Sequence, residues 1–159
     1  MASRPDHGAS FFVELPIDLR QPERVETAKA GLPSPISERT VLIVDDDRDV
    51  AETLSDVLRL DGHHAEIVAS GTVALEKLRD RRYDLILSDV RMPELDGPRF
   101  YAQLERRHPT FLRRVAFLTG DTLSPETRAF LERTGVPTMA KPFTLEQVRQ
   151  VLQQVAHER

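Results

Sequence analysis

The sequence has no cysteine, and no apolar run in its 159 residues approaches the length of a membrane-spanning helix. The missing cysteines exclude disulfides, thiolate metal sites and a cysteine nucleophile, and they favour a reducing compartment. The first residues also lack the charged and then apolar order of a secretory signal. We therefore expect a cytoplasmic chain that makes no membrane contact.

A strong excess of one charge is missing too. The formal net charge is -4, and acidic and basic residues are interspersed along the chain. Nucleic-acid binding requires a broad basic surface, so we expect no direct contact with nucleic acid. Hydrophobic residues make up 40% of the sequence, which is enough for the core of one ordinary domain with a tail.

A change of composition near Glu38 separates a linker from a folded domain. Residues 21–39 contain three prolines, a glycine and many charged side chains, which is linker composition. Five short apolar runs follow, and we predict a strand in each: Val41–Val44, His64–Val68, Leu85–Leu87, Val115–Leu118 and the weaker Val136–Ala140. Apart from His64–Val68, the runs do not alternate apolar with polar residues, so we expect those strands to be buried on both faces.

Segments with helical spacing lie between these runs. Three predicted helices have apolar residues from Val50 to Leu58 before Gly62, from Val73 to Leu78, and from Phe100 to Leu104 after Asp96 and Pro98. A fourth helix begins with Ser124 and Pro125, and a fifth begins with the capping box of Thr144 and Gln147. Strands that alternate with helices imply right-handed crossovers and a parallel sheet covered on both sides. We predict an α/β domain with a doubly wound five-stranded parallel sheet and five helices.

Reactive residue types stand where four of the predicted strands end. Asp45 and Asp46 follow the first strand, Asp89 follows the third, Thr119 follows the fourth and Lys141 follows the fifth. In an open parallel sheet, ligands bind outside the carboxyl ends of the strands, where the strand order reverses. We therefore expect three carboxylates, a hydroxyl and an ammonium group to converge at one edge of the sheet.

Three neighbouring carboxylates repel one another unless a cation compensates them. A site made of oxygen ligands alone suits Mg²⁺ better than zinc. With the metal bound, one carboxylate could attack phosphorus, while the cation and Lys141 neutralise the transferring oxygens and Thr119 bonds one of them. Asp47, the next acid along the chain, is expected only to cap the first helix.

Four motifs together resemble the receiver domain of two-component response regulators. They are VLIVDDD at the acidic pair, LILSDVRMPELDG around Asp89, FLTGD around Thr119 and AKPF around Lys141. The resemblance covers residues 40–157 and implies the flavodoxin-like receiver fold.

The resemblance also implies a role for each site residue. Asp89 would accept a phosphoryl group from a phosphohistidine, and Lys141 would pair with that group. Asp45 and Asp46, with Asp89 and the backbone carbonyl of Arg91, would hold Mg²⁺. The implied partners are a histidine kinase, a histidine phosphotransfer protein or both, and the domain would be a phosphoacceptor switch that loses its own phosphate rather than a metabolic enzyme.

One position departs from the family pattern. In receiver domains the switch threonine, Thr119 here, moves together with an aromatic residue three positions before the lysine. Thr138 occupies that position in this sequence. The aromatic half of the usual switch is therefore missing.

A second resemblance lies near the amino terminus. Gly8–Pro16 resembles the last glycine motif and final strand of a histidine-kinase ATPase domain. We therefore predict that residues 1–20 are the end of such a domain, that residues 21–39 form a linker, and that the receiver belongs to a hybrid histidine kinase, whose parent chain could be membrane-anchored.

Three other functions compete with this interpretation. A stand-alone regulator would act through protein contacts that change on phosphorylation, and it would have no use for a kinase fragment. The second alternative is a phosphatase with an aspartyl-phosphate intermediate, but such enzymes usually carry a second acid where Arg91 stands. The third is a receiver that no longer accepts phosphate, and the full set of site residues speaks against it. The chain ends at its last predicted helix, so we expect no DNA-binding output domain.

Overall fold

The structure, a computed structural model, describes residues 38–120 and 124–157. The strands are β1 (Thr40–Val44), β2 (His64–Val68), β3 (Leu85–Asp89), β4 (Val115–Thr119) and β5 (Thr138–Ala140). The α-helices are α1 (Arg48–Leu60), α2 (Gly71–Asp80), α3 (Gly97–Arg107), α4 (Pro125–Thr134) and α5 (Leu145–His157), and a 3₁₀ helix (Pro109–Arg114) precedes β4. The predicted kinase fragment at residues 1–20, and the linker except for Glu38 and Arg39, lie outside the described residues.

The five described strands form a parallel sheet in the order β2-β1-β3-β4-β5. Buried side chains of α1 and α5 pack on one face of the sheet, and those of α2, α3 and α4 pack on the other. The predicted doubly wound sheet is confirmed, and its strand order is that of flavodoxin-like folds. The order reverses between β1 and β3, which is where such sheets bind ligands.

Burial separates the central strands from the edge strand β5. Nearly all residues of β1, β3 and β4 are buried, as predicted. β5 begins at Thr138 rather than Val136, and Thr138 and Ala140 are exposed on either side of buried Met139. The prediction of burial on both faces was wrong for this strand, because β5 lies at the edge of the sheet and pairs only with β4. Pro137, which has no N–H to donate, precedes it.

The predicted helix ends are confirmed where the described residues include them. The Asp47 side chain accepts hydrogen bonds from the first turn of α1, and Gly62 follows that helix with φ +84°. Thr144 and Gln147 form the capping box, with Thr144 N donating to Gln147 Oε1 at 2.8 Å and Gln147 N donating to Thr144 Oγ1 at 3.3 Å. In the described part of the chain, no helix is both long enough and apolar enough to cross a membrane.

Candidate functional site

The carboxyl ends of four strands meet at one edge of the sheet. Val44 of β1 pairs with Ser88 of β3, and Thr119 of β4 pairs with Ala140 of β5. Parallel pairing in this register brings the residues that follow β1 and β5 to the edge where β3 ends at Asp89. The strand-end residues expected to converge therefore do so.

The carboxylates of Asp45, Asp46 and Asp89 form a cluster in which one oxygen of each lies within 4.8 Å of the others. Asp45 is buried, Asp89 is partly buried and Asp46 is exposed. The donor set is made of carboxylate oxygens alone, which fits a hard divalent cation such as Mg²⁺. One exposed member leaves room for the water that such a cation keeps.

Lys141 supplies a positive charge to this cluster. Its Nζ lies 2.7 Å from Asp45 Oδ2 and 3.4 Å from Asp89 Oδ2. The other oxygen of Asp45 accepts a hydrogen bond of 3.0 Å from the backbone N–H of Asp47. Asp45 is therefore fixed on both of its oxygens, whereas Asp89 is held less closely. We refer to Asp45, Asp46, Asp89 and Lys141 together as the acidic site.

The electrostatics of Asp89 combine opposing effects. Burial raises the pKa of its carboxyl group above the ordinary value, and the negative charge of Asp45 also raises it. Lys141 and a hydrogen bond from the backbone of Arg91 lower the pKa and offset part of this increase. Asp89 is thus a carboxylate whose charge is poorly compensated in the absence of further positive charge.

Thr119 and Arg91 flank the acidic site. The hydroxyl of buried Thr119 donates a long hydrogen bond, 3.4 Å, to the carbonyl oxygen of Met139. The Arg91 guanidinium lies close to Gly120, the residue that follows Thr119. A Cβ atom added to Gly120 would be 3.2 Å from Nη2 of Arg91. The metal-binding role predicted for the Arg91 carbonyl, like the roles of the other site residues, stays a prediction.

Two features of the site were not anticipated. Ser88 is fully buried, and its hydroxyl donates to the carbonyl oxygen of Asp89 at 3.1 Å. The Lys141–Pro142 peptide bond is cis. The polar residue within an apolar strand and the proline after the lysine were visible in the sequence, but neither pattern by itself specifies these arrangements.

A shallow apolar depression of about 480 Å³ adjoins the acidic site. It lies between the first turns of α1 and the segment that joins β5 to α5. Its lining residues are Asp49, Val50, Thr53, Lys141, Pro142 and Phe143. Because Lys141 also contacts Asp45 and Asp89, the depression opens directly beside the carboxylates.

The family model of the response regulator receiver domain matches residues 41–153, which is most of the chain. The chain belongs to this family. Among the relatives of this receiver domain is the sensor protein EvgS of Escherichia coli (strain K12), which is 29% identical over 161 residues. That alignment covers 99% of this chain and 13% of EvgS.

The solved structures that are similar to this receiver domain include the following two. The chemotaxis protein CheY4 of Vibrio cholerae is 31% identical with a TM-score of 0.64, over 75% of this chain and 99% of that one. The receiver domain of the sensor histidine kinase PA1611 of Pseudomonas aeruginosa PAO1 is 27% identical with a TM-score of 0.66, over 76% of this chain and 99% of that one. The PA1611 structure has a magnesium ion coordinated in its active-site cleft.

Proposed function

We propose that this receiver domain accepts a phosphoryl group on Asp89 from a phosphohistidine donor, with Mg²⁺ bound beside it. The observation that carries the proposal is the acidic site, where three carboxylates meet and Lys141 Nζ lies 3.4 Å from Asp89 Oδ2. Asp45, Asp46, Asp89 and the carbonyl of Arg91 would hold the cation. When bound, Mg²⁺ supplies positive charge that neutralises the oxygens of the transferring group.

The residues of the site divide the work of the transfer. A carboxylate oxygen of Asp89 attacks phosphorus, the new O–P bond forms as the N–P bond breaks, and the donor imidazole leaves with the electron pair and takes up a proton. Lys141, which bonds Asp45 in this structure, is within reach of Asp89 and would pair with a phosphoryl oxygen. The Thr119 hydroxyl would exchange its long bond to Met139 for a bond to another phosphoryl oxygen.

We further propose that the phosphohistidine-bearing partner docks in the depression between α1 and the β5–α5 segment. Val50, Pro142 and Phe143 give this surface an apolar character, and Lys141 joins it to the acidic site. A histidine on an apolar helical surface seated there would approach Asp89 from the open side of the cluster. A histidine kinase or a histidine phosphotransfer protein has the required chemistry.

The parent protein is proposed to be a hybrid histidine kinase that contains this receiver. The alignment with the sensor protein EvgS extends over 99% of the chain, and so includes the segment where Gly8–Pro16 resembles the end of an ATPase domain. The alternative is a stand-alone cytoplasmic regulator. In either case, the domain is proposed to be a switch, because Arg91 occupies the position where phosphatases with an aspartyl-phosphate intermediate usually carry a second acid.

The intact mass of the protein, quenched in acid after incubation with Mg²⁺ and acetyl phosphate, tests the acceptor chemistry. We expect a gain of one phosphoryl mass that requires Mg²⁺ and is absent from Asp89→Asn. Asp47→Asn is the matched control, because Asp47 is a neighbouring acid that caps α1, and asparagine keeps that capping bond. A mass gain that survives in Asp89→Asn, or none in either the wild type or the control, would contradict the proposal.

Phosphoryl transfer distinguishes the hybrid kinase from the stand-alone regulator. The phosphorylated protein is mixed with a histidine phosphotransfer protein, and label on the histidine is followed. Rapid loss of label from Asp89 to the histidine supports a relay receiver. Label that stays on Asp89 until it is hydrolysed supports a regulator that acts through its own protein contacts.

A further inference from the structure

Three aromatic rings form a continuous chain from β4 to the surface of α3. The rings of Phe117 and Phe130 meet edge to face, with centroids 5.7 Å apart and planes at 72°. Phe130 and Tyr101 meet in the same way, at 5.5 Å and 71°. Phe117 is fully buried, Phe130 is 6% exposed and Tyr101 is half-buried. We call these three residues the aromatic chain.

The inner end of the aromatic chain lies next to the acidic site. Phe117 stands two residues before Thr119 on β4, so both side chains point to the same face of the sheet. A Cβ atom added to Gly97 would be 3.1 Å from Phe117 Cε1 and 3.0 Å from Val90 Cγ2. Phe117 and the residue after Asp89 therefore both lie close against the start of α3, and Phe117 has little space in which to move alone.

The neighbouring strand β5 offers no comparable connection. Thr138 pairs with Phe117 and Ala140 pairs with Thr119, and both of these β5 side chains are small and exposed. The ring that contacts Phe117 instead belongs to Phe130 of α4, and Phe130 in turn contacts Tyr101 of α3. A displacement at the end of β4 would consequently be passed on toward α3 and α4.

We propose that the aromatic chain transmits the state of Asp89 to the groove between α3 and α4. This inference rests on the proposed function, since it requires Thr119 to bond a phosphoryl group on Asp89. When the Thr119 hydroxyl leaves the Met139 carbonyl, the end of β4 shifts, and Phe117 moves Phe130 and Tyr101 because packed rings reorient together. The groove, about 630 Å³ in volume, is lined by Pro98, Phe130 and Arg133 among others.

The test follows the two tyrosines of the chain by ¹⁹F NMR after incorporation of fluorotyrosine. Tyr101 ends the aromatic chain, whereas Tyr83 precedes β3 at the opposite end from Asp89 and serves as the internal reference. Beryllofluoride with Mg²⁺ is the probe, because it mimics a phosphoryl group on a carboxylate. Its binding is measured separately by calorimetry.

We expect binding to move the Tyr101 resonance and to leave that of Tyr83 in place. In Phe130→Leu this displacement is lost although beryllofluoride still binds, because the link between Phe117 and Tyr101 is gone. Phe111→Leu is the matched control: Phe111 is 5% exposed in the same core, but its ring contacts His108, and this variant keeps the displacement. If Phe130→Leu does not fold, Phe130→Met, which keeps more of the volume, is read in the same way.

Each remaining outcome would overturn the inference. A Tyr101 resonance that does not move when the wild type binds beryllofluoride contradicts it, as does full displacement in a Phe130 variant. Equal loss in Phe111→Leu would show that the effect belongs to the core in general. If the wild type does not bind beryllofluoride at all, the proposed function fails and the inference falls with it.

Discussion

The acidic site and a second polar cluster differ in the balance of their charges. The second, which we call the Glu66 cluster, consists of Glu66, Lys77, Arg81 and Tyr83. Glu66 Oε1 accepts a hydrogen bond from Lys77, while Oε2 accepts from Tyr83 at 2.7 Å and from Arg81 at 3.1 Å. Both carboxylate oxygens are thus satisfied by neighbouring side chains, and cations outnumber the acid within the cluster.

This difference in balance is reflected in the pKa values. The hydrogen bond from Lys77 lowers the pKa of Glu66, and burial with the Glu66 contact raises the pKa of Tyr83 to about 12. In the acidic site, burial raises the pKa of Asp89 instead. A cluster with satisfied charges stabilises the fold, whereas a surplus of negative charge leaves a place for a cation. We therefore expect the two clusters to respond differently to Mg²⁺ and to substitution.

The largest expected effect is that of Mg²⁺ on the wild type. At about 100 times its dissociation constant, Mg²⁺ should raise the free energy of unfolding by about 2.7 kcal/mol, because it binds the folded acidic site and not the unfolded chain. Asp89→Asn removes one of the three clustered charges, so the same Mg²⁺ concentration should stabilise it much less. Urea unfolding with and without Mg²⁺ measures both values.

The Glu66 cluster provides the control for this effect. Glu66→Gln should gain as much stability from Mg²⁺ as the wild type does, because Glu66 is not one of the clustered carboxylates. If Mg²⁺ stabilises Asp89→Asn as much as the wild type, the cation binds somewhere other than the acidic site. The contrast drawn between the acidic site and the Glu66 cluster would then be wrong.

A smaller effect is expected from Glu66→Gln itself. Hydrogen bonds to a charged group contribute about 1.5 to 3 kcal/mol, and the amide keeps part of them, so the free energy of unfolding should fall by about 1 to 2 kcal/mol. The folded-state pKa of Glu66 is lowered, so the charged form stabilises the protein above the unfolded value of 4.5. That stability is lost as the pH falls through the folded-state pKa.

The difference between Glu66→Gln and the wild type should therefore shrink at acid pH. Denaturant unfolding over a pH series measures it, with phosphorylation of Asp89 as the second observable. Tyr83→Phe removes one hydrogen bond to Glu66 and leaves the two cations, so it should cost less. A loss of phosphorylation in Glu66→Gln would contradict the separation of the two clusters.

The acidic site could be located from the sequence because its residues directly follow apolar runs. A strand buried on both faces ends abruptly in Asp45 and Asp46, and parallel topology then brings such ends together. The same logic found Lys141 but not its contacts, since a strand end fixes where a side chain starts and not which carboxylate it bonds. In the structure, Lys141 lies closer to Asp45 than to Asp89.

The Glu66 cluster was not predicted, because its members are spread over β2, α2 and the segment before β3. Their contacts depend on how the elements pack, and local periodicity contains no such information. The early start predicted for β5 failed for a similar reason: Val136 is buried by tertiary packing outside the strand. The burial of the polar His63 side chain, which is 3% exposed, likewise depends on tertiary packing.

The smallest expected effect concerns His63, which belongs to neither cluster. Neither of its ring nitrogens has a hydrogen-bond partner among the described residues. Burial lowers the pKa of His63; the charges of Asp61 and Glu38 raise it and that of Arg39 lowers it. The unfolded chain therefore takes up a proton near the ordinary value of 6.5, while the folded protein does so only at lower pH.

Stability should accordingly decrease as the pH falls below 6.5 and level off below the folded-state pKa of His63. Between about pH 7.5 and about pH 6, this histidine can account for at most about 0.8 kcal/mol. His63→Leu should remove that loss, and His64→Gln, which changes an exposed neighbour, should retain it. Urea midpoints at the two pH values decide the matter. Equal pH dependence in His63→Leu and the wild type would mean that the buried ring finds a hydrogen-bond partner when it is protonated, just as the charged carboxylate of Glu66 has its partners in the folded protein.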